Sequence, residues 1–484
     1  MRAALPALKW RAFGPLRKLS SRLEQARHDE ALASAQTAVA VRRDIAEANP
    51  DKVPELASAL HRLSYELAAA GRRDEAVAPM EEAVAIRRRL ADSDPQAFLP
   101  VLASSLHNLS LLLAAQPPRR EALAPIEEAV AIRRRLCESD PTYRRILADS
   151  LEGMSARLSH TGRRDEAVAA AREAVSIRRT LAETEAGPFD AELAHSLNEL
   201  SVSLREVGRH AEAVAAIQEA VAIQRRLAKD EPQRFQSDLT VSLANLAVSL
   251  SSAGRRDEAL APVREAVTIG RRLAEDDPER FLPDLARSLN NLAVSLREVG
   301  ERDEAMASIR EAVAMRRRLA AVGPFDPDLA VSLNNLASLL GDAGLVDDEL
   351  SAALESVAIN RRLADAEPEA FLPNLARSLS NLSLALRDAR RRAEELAFAE
   401  EAATIFRRLA STEPDAFLPD LAKSLTNLSD SLAASGRQDE AMDVVNEAIE
   451  IRRRLNERDP NLYGTDLDHS LTLRDRLSGA SGDC

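Results

Sequence analysis

The fold is decided by residues 284–329, DLARSLNNLAVSLREVGERDEAMASIREAVAMRRRLAAVGPFDPDL, because this stretch recurs along the chain. Its EAV tripeptide, with close variants, begins at nine glutamates spaced 44 to 46 residues apart: Glu82, Glu128, Glu173, Glu219, Glu265, Glu311, Glu355, Glu401 and Glu447. A period this constant over most of the chain is typical of stacked repeats and not of a single globular core.

Each repeat is predicted to contain two helices. The leucines of the first helix fall on one helical face: Leu285, Leu289, Leu292 and Leu296. Gly300 follows, where a helix ends in a left-handed residue. Asp303 and Glu304 then suit the first turn of a second helix, and arginines 316–318 suit its last turns, because these charges complement the helix dipole. We call the two helices helix A and helix B.

Small residues at the predicted contact allow helix A and helix B to approach closely as an antiparallel pair: Ala293, Ala305 and Ala312. Together with the leucines and Gly300, they resemble the tetratricopeptide repeat. The segments LNNLA at 289–293 and 333–337 resemble the longer repeats of kinesin light chains, which also occur in bacterial regulators. The resemblance implies an all-α, right-handed solenoid of about nine helix pairs, with a period of about 46 residues.

Composition narrows the class of protein. The 484 residues are 45% hydrophobic and 30% charged, which favours a folded chain. A net charge of −13 argues against general attraction to nucleic acid or to an anionic membrane. Cys137 and Cys484 are too few for a disulfide framework. No long apolar run or secretory leader is evident, so we expect no membrane span and a cytoplasmic location.

The repeat boundaries predict five segments: a basic arm or linker (1–22), a half repeat (23–54), nine repeats (55–465), a capping helix (466–477) and a flexible tail (478–484). The residues beyond the standard repeat length, such as DDPERFLPDLA at 276–286, are expected to connect helix B to the next helix A. Proline would stop the helix, and a recurring aromatic would pack between layers: Phe98, Phe235, Phe281, Phe371 and Phe417.

Two repeats depart from the pattern. Glu349 in repeat seven (328–373) and Glu395 in repeat eight (374–419) stand where the resemblance predicts a small alanine of helix B. Arg390 replaces the glycine of the turn in repeat eight. We therefore expect either a shifted helix B or a bend of the stack over residues 340–400.

Catalytic and cofactor motifs are not found: the chain has no phosphate-binding glycine loop, zinc-protease helix or nucleophile elbow. His61 and His107 share a repeat position but lack a third ligand, so no metal or cofactor is predicted. Cys137 is expected to be a core residue. The arginine clusters at 87–89, 133–135, 316–318 and 452–454 are expected to form a solvated, salt-bridged face and not a nucleic-acid track.

Helix A carries the functional signal, because the resemblance implies that its inner surface lines a concave groove that holds a partner peptide. One helix A position is asparagine in six repeats: Asn108, Asn245, Asn291, Asn335, Asn381 and Asn427. An amide can pair with an extended peptide backbone. One turn earlier stand Arg287, Arg377 and Lys423, although repeat seven has Val331 there. This arrangement resembles part of the carboxylate-binding clamp of some tetratricopeptide domains.

The hypothesis is therefore an acidic or C-terminal peptide bound along residues 284–430. The alternative is that asparagine suits helix A packing and that the arginines pair with neighbouring acids. The predicted function is a protein-interaction scaffold without enzymatic activity. A regulatory module acting with a separate ATPase, transcription-factor or protease-like effector is the second possibility, and an enzyme with an unrecognised site is the third. Partner and oligomeric state stay open.

Overall fold

A computed structural model describes residues 10–115, 119–184, 189–321, 326–412, 414–458 and 460–480. Throughout these residues the chain is helical, with 20 α-helices, three short 3₁₀ helices and no strand. The chain divides into two compact units, Met1–His160 and Thr161–Cys484. The all-α solenoid predicted from the repeats is confirmed.

The first unit contains six helices: α1 (Trp10–Ala48), α2 (Val53–Ala69), α3 (Arg73–Ser93), α4 (Pro95–Ala114), α5 (Leu123–Ser139) and α6 (Arg144–His160). Within this unit, each helix from α1 to α5 packs against the next one along the chain. The predicted basic arm lies partly in α1, and its residues 1–9 lie outside the described residues.

The second unit contains fourteen helices. They are α7 (Arg164–Thr184), α8 (Asp190–Glu206), α9 (His210–Asp230), α10 (Pro232–Ser252), α11 (Arg256–Asp276), α12 (Pro278–Glu298), α13 (Arg302–Ala320), α14 (Asp326–Asp342), α15 (Val346–Ala366), α16 (Pro368–Asp388), α17 (Arg392–Thr412), α18 (Pro414–Ala434), α19 (Gln438–Arg458) and α20 (Pro460–Ala480). Main contacts join helices one or two places apart in this order, as in a solenoid. Even-numbered helices from α2 to α18 are helix A, and odd-numbered helices from α3 to α19 are helix B.

The core of each layer follows the predicted leucine and alanine pattern. Leu289 and Leu296 of α12 are fully buried, as are Ala305 and Ala312 of α13. The small side chain of Ala305 allows the two helices to pack in close contact at this position. The recurring aromatics pack on these clusters, as predicted: Phe235 is buried and Phe281 is partly buried.

The residues beyond the standard repeat do not form a connection, so that expectation is wrong. In repeat six they are the first turns of α12, which begins at Pro278 only two residues after α11 ends. Proline at the first helical position loses no backbone hydrogen bond and has a suitable φ. The Asp277 side chain caps this start by accepting from the Arg280 amide at 3.2 Å. The result is a helix A of 21 residues.

The turn between helix A and helix B is the same in repeats seven and eight as in repeat six. Arg390 adopts φ +58°, in the left-handed region that Gly300 (φ +86°) and Gly344 (φ +70°) also occupy. In all three repeats helix B begins two residues after this position. The predicted shift of helix B does not occur, because Arg390 accepts the strained backbone that glycine adopts freely.

Replacing Arg390 by glycine is therefore expected to raise the free energy of unfolding by about 0.5–1 kcal/mol, since glycine removes the left-handed strain. Urea unfolding followed by circular dichroism measures this difference. The matched control is Gly344→Ala, which introduces the same strain with no atom within 4 Å of the new Cβ, and should destabilise by a similar amount. An Arg390→Gly variant no more stable than the wild type would contradict the account.

Helix α4 has the length and apolar composition of a membrane span, the one such helix among the described residues. It is packed as a repeat helix, with Leu102, Leu106 and Leu109 buried in one cluster with Met80 of α3 and Ile126 of α5. Part of its apolar surface is thus buried in the core of the first unit.

Candidate peptide-binding face of helix A

Helix α12 presents a strip of solvent-accessible residues between its buried faces. Arg287 and Glu298 are exposed, and Asp284, Asn291 and Val294 are partly buried. Their spacing of three or four residues places them on one side of the helix. The equivalent strips of α16 and α18 contain the other predicted pairs: Arg377 with Asn381, and Lys423 with Asn427. We call these three strips together the helix A face.

Three of the six asparagines hold neighbouring repeats together. The Nδ2 atom of Asn245 donates to Asn198 Oδ1 of the preceding helix A at 3.1 Å, and that of Asn335 donates to Asn290 Oδ1 at 3.0 Å. Asn108 Nδ2 lies 3.1 Å from His61 Nε2 in the same way. Part of their amide capacity is therefore used inside the array.

The other three asparagines keep more of their hydrogen-bonding capacity. Asn291 and Asn381 make no side-chain hydrogen bond with another described residue, and Asn427 Nδ2 is buried without a partner among them. The position that faces Asn291 from the preceding helix A is Ala244, which offers no acceptor. The same three strips carry the basic residues.

The basic residues of the helix A face differ in how far they are neutralised. Arg287 pairs with Asp284 of its own helix (Nη2 to Oδ1, 2.7 Å), and Arg377 pairs with Asp420 of α18 (Nη2 to Oδ2, 2.6 Å). Lys423 is exposed and forms no ion pair with the described residues. Both arginine side chains remain about half exposed, so these pairs are weak and replaceable.

The first arginine of each cluster is buried, which corrects the prediction that all three are solvated. Arg87 donates to the Val101 carbonyl at 3.1 Å and Arg133 to the Ile146 carbonyl at 2.8 Å. Arg452 reaches Asp466 O in the same way, at 2.6 Å. Each links helix B to the following helix A, and burial lowers the pKa of these guanidinium groups. Helical spacing is the signal that indicates the inward residue, because Arg316 follows Ile309 by seven residues and Ala312 by four on the buried side of helix B.

The arginine directly after this inward position forms a salt-bridged face, including in repeats where the inward residue is not arginine. It pairs with the glutamate of the EAV segment one repeat further on, in a series that we call the Arg–Glu ladder: Arg43–Glu82, Arg88–Glu128, Arg179–Glu219, Arg225–Glu265, Arg271–Glu311, Arg317–Glu355, Arg361–Glu401 and Arg407–Glu447. All these side chains are one third to one half exposed. The alternating charges make this surface a poor track for nucleic acid.

His61 and His107 are each partly buried beside a serine of the following helix A. His61 Nδ1 lies 3.0 Å from Ser105 Oγ, and His107 Nδ1 lies 3.1 Å from Ser150 Oγ. Burial, with Arg87 or Arg133 nearby, lowers the pKa of each imidazole to about 4. The described residues contain no group of three His, Cys, Asp or Glu side chains able to hold a metal ion. Cys137 is half-buried, and Cys484 lies outside the described residues.

The family model for the tetratricopeptide repeat matches the chain eight times, over more than half its length: residues 56–96, 102–142, 147–185, 193–233, 239–279, 285–328, 375–415 and 421–461. The chain belongs to the tetratricopeptide repeat family. Repeat seven is not among the matches, although α14 and α15 form a helix pair like the others. Members of this family are typically non-catalytic. The repeats support a protein-interaction or regulatory scaffold.

Solved structures with similar folds include other tetratricopeptide repeat proteins. A Rap protein complexed with competence and sporulation factor is 15% identical, with a TM-score of 0.50 over 84% of this chain and 99% of that chain. BtubC from P. vanneervenii is 22% identical, with a TM-score of 0.42 over 50% of this chain and 91% of that chain. The repeats of a protein from Podosopora anserina described as a putative kinesin light chain are 21% identical. Their TM-score is 0.37 over 46% of this chain and 98% of that chain. No curated protein matches the sequence.

Proposed function

We propose that the chain binds an acidic or C-terminal peptide segment of a partner protein along the helix A face. One observation carries the proposal: α12, α16 and α18 each have an exposed basic side chain one turn before an asparagine whose side-chain amide group makes no hydrogen bond with another described residue. A basic group can pair with a carboxylate, and an amide can pair with the backbone of an extended peptide.

The existing ion pairs are compatible with binding. Asp284 and Asp420 neutralise Arg287 and Arg377 in the free protein, and a peptide carboxylate would compete for the same guanidinium groups. Exposed pairs of this kind contribute little to stability, so exchanging partners costs little. Lys423 needs no such exchange. An acidic ligand is thus favoured first at α18.

Replacing Arg287, Arg377 and Lys423 together by glutamate is expected to weaken partner binding at least tenfold, since each change turns an attraction for a carboxylate into a repulsion. Partners are identified by affinity capture with mass spectrometry. A labelled peptide from the enriched partner is then titrated by fluorescence polarisation.

The matched control replaces three exposed helix B arginines, Arg272, Arg318 and Arg408, by glutamate. It lowers the net charge by the same amount but lies on the other helix of each pair. Circular dichroism must show that both variants are folded. Equal loss of binding in the two variants, or none in the first, would refute the assignment to the helix A face.

A further inference from the structure

Repeats seven and eight each bury a carboxylate where other repeats have alanine. Glu349 is 6% exposed and Glu395 is 2% exposed, whereas the equivalent Ala259, Ala305 and Ala441 are fully buried. A buried carboxylate is strongly unfavourable unless it is paired and hydrogen-bonded. The two repeats serve as internal references for each other, because the residues around the two carboxylates differ.

In repeat eight the buried carboxylate is satisfied within the chain. Arg387 of α16 donates from Nε to Glu395 Oε1 at 2.8 Å, and Ser431 of α18 donates to the same oxygen at 2.7 Å. The Arg387 side chain is 35% exposed. A guanidinium group can therefore extend from solvent to a fully buried glutamate at this repeat position.

In repeat seven both partners are missing. The residue equivalent to Arg387 is Gly341, and the residue equivalent to Ser431 is Ala385. Glu349 Oε2 is buried without a hydrogen-bond partner among the described residues. The carboxylate lies over Gly341, where an added Cβ would come within 2.8 Å of Oε1. The side chain is thus directed to the place from which Arg387 enters in the next repeat.

The surroundings of Glu349 are acidic. Asp342 of α14 and Asp388 of α16 act on Glu349 electrostatically, and both are exposed. Asp342 is paired with Arg297 of α12 (Nε to Oδ2, 2.5 Å), which leaves this group of three carboxylates with a net negative charge. Burial, with the two aspartates, raises the pKa of Glu349 to about 7.

We propose that Glu349, with Asp342 and Asp388, binds an arginine side chain of the partner peptide, which enters over Gly341 and takes the place that Arg387 has in repeat eight. The guanidinium group would pair with the two oxygens of Glu349, a geometry that arginine favours and lysine does not. The proposal rests on the proposed function for the path of the peptide. The bound peptide would then contain one arginine in addition to the acidic residues that face α12, α16 and α18.

The test compares acetyl-Gly-Arg-Gly amide with the same tripeptide carrying citrulline, which keeps the shape of arginine without its charge. Binding is measured by ligand-observed NMR, which detects weak complexes. The wild type is expected to bind the arginine peptide at least tenfold more tightly. Glu349→Gln and Gly341→Arg should each reduce the preference to twofold or less, the second by filling the site with a guanidinium group from the chain itself.

The control Asp348→Asn neutralises the exposed acid next to Glu349 and should keep the full preference. No preference in the wild type, or one that survives Glu349→Gln, would overturn the proposal. Agmatine binding as tightly as the tripeptide would also overturn it, because the site would then recognise a small cation and not a peptide.

The triple variant Arg287→Glu, Arg377→Glu, Lys423→Glu distinguishes peptide binding on the helix A face from arginine binding at Glu349. If it loses the partner but keeps the tripeptide preference, both proposals stand. If it still binds the partner while Glu349→Gln abolishes the preference, the proposed function fails and the arginine site at Glu349 survives alone.

Discussion

Replacing Arg387 by alanine is expected to lower the free energy of unfolding by about 3 kcal/mol, because it leaves Glu395 buried without its cation. Glu395 is 2% exposed and would keep only the hydrogen bond from Ser431. Removing one member of a buried pair costs more than the pair contributes, since the remaining charge stays out of water. Urea unfolding at about pH 8 measures the loss.

The matched control is Arg297→Ala, at the same repeat position in repeat six. Arg297 pairs with Asp342 in an exposed bridge, and the helix B position facing it is Ala305. Its removal should cost less than about 1 kcal/mol. Equal effects of the two substitutions would show that Glu395 does not depend on Arg387.

A double variant sharpens this test. Replacing both Arg387 and Glu395 by alanine recreates the pattern of repeats one to six and nine at the helix B position, where alanine is fully buried. The double variant is expected to recover most of the stability lost in Arg387→Ala, because no charge remains buried. A double variant as unstable as the single one would mean that Arg387 acts through packing.

The second large effect is a dependence of stability on pH that comes from Glu349. The pKa of Glu349 in the folded chain is about 7, above the ordinary value of 4.5. Between these values the folded chain holds a proton that the unfolded chain has lost, so stability falls as pH rises through this window. The loss between about pH 5 and pH 8 is expected to be about 2 kcal/mol, allowing for screening by solvent near the exposed aspartates.

Glu349→Gln imitates the protonated form and removes this dependence. At about pH 5 the variant and the wild type should be similarly stable, and at about pH 8 the variant should be the more stable one. Asp348→Asn, an exposed change on the same turn, provides the control. The measurement is urea unfolding at both pH values. A difference between wild type and Glu349→Gln that does not change with pH would contradict the raised pKa.

The sequence predicted the features that each repeat determines locally. The leucine spacing of α12, the turn at Gly300 and the close contact at Ala305 all follow from residues within one helix pair. The partners of Glu395 were harder to predict. Arg387 lies in the same repeat, 8 residues away, and Ser431 lies in the next repeat, 36 residues away, so the exception at 395 was visible in the sequence but the two side chains that stabilise it were not.

On the helix A face, the sequence predicted which residues share one side of a helix, but not the contacts between helices. Arg287 and Asn291 share one strip because their spacing is one helical turn. The bond from Asn335 to Asn290, by contrast, depends on the register of two neighbouring helices, which a single repeat does not reveal. The burial of Arg87 could have been predicted, because it follows Met80 by seven residues and Ala83 by four on the buried side of its helix. Its hydrogen bond to the Val101 carbonyl could not, because that carbonyl belongs to the following helix A.

The Arg–Glu ladder also bears on how such a chain changes in evolution. Each rung joins the same two positions of consecutive repeats, so Arg225, which pairs with Glu265, would meet Glu311 instead if the repeat that carries Glu265 and Arg271 were lost by deletion. Duplication of a repeat would likewise create one more rung of the same kind. The array can therefore gain or lose length in whole repeats without a new interface having to arise by mutation.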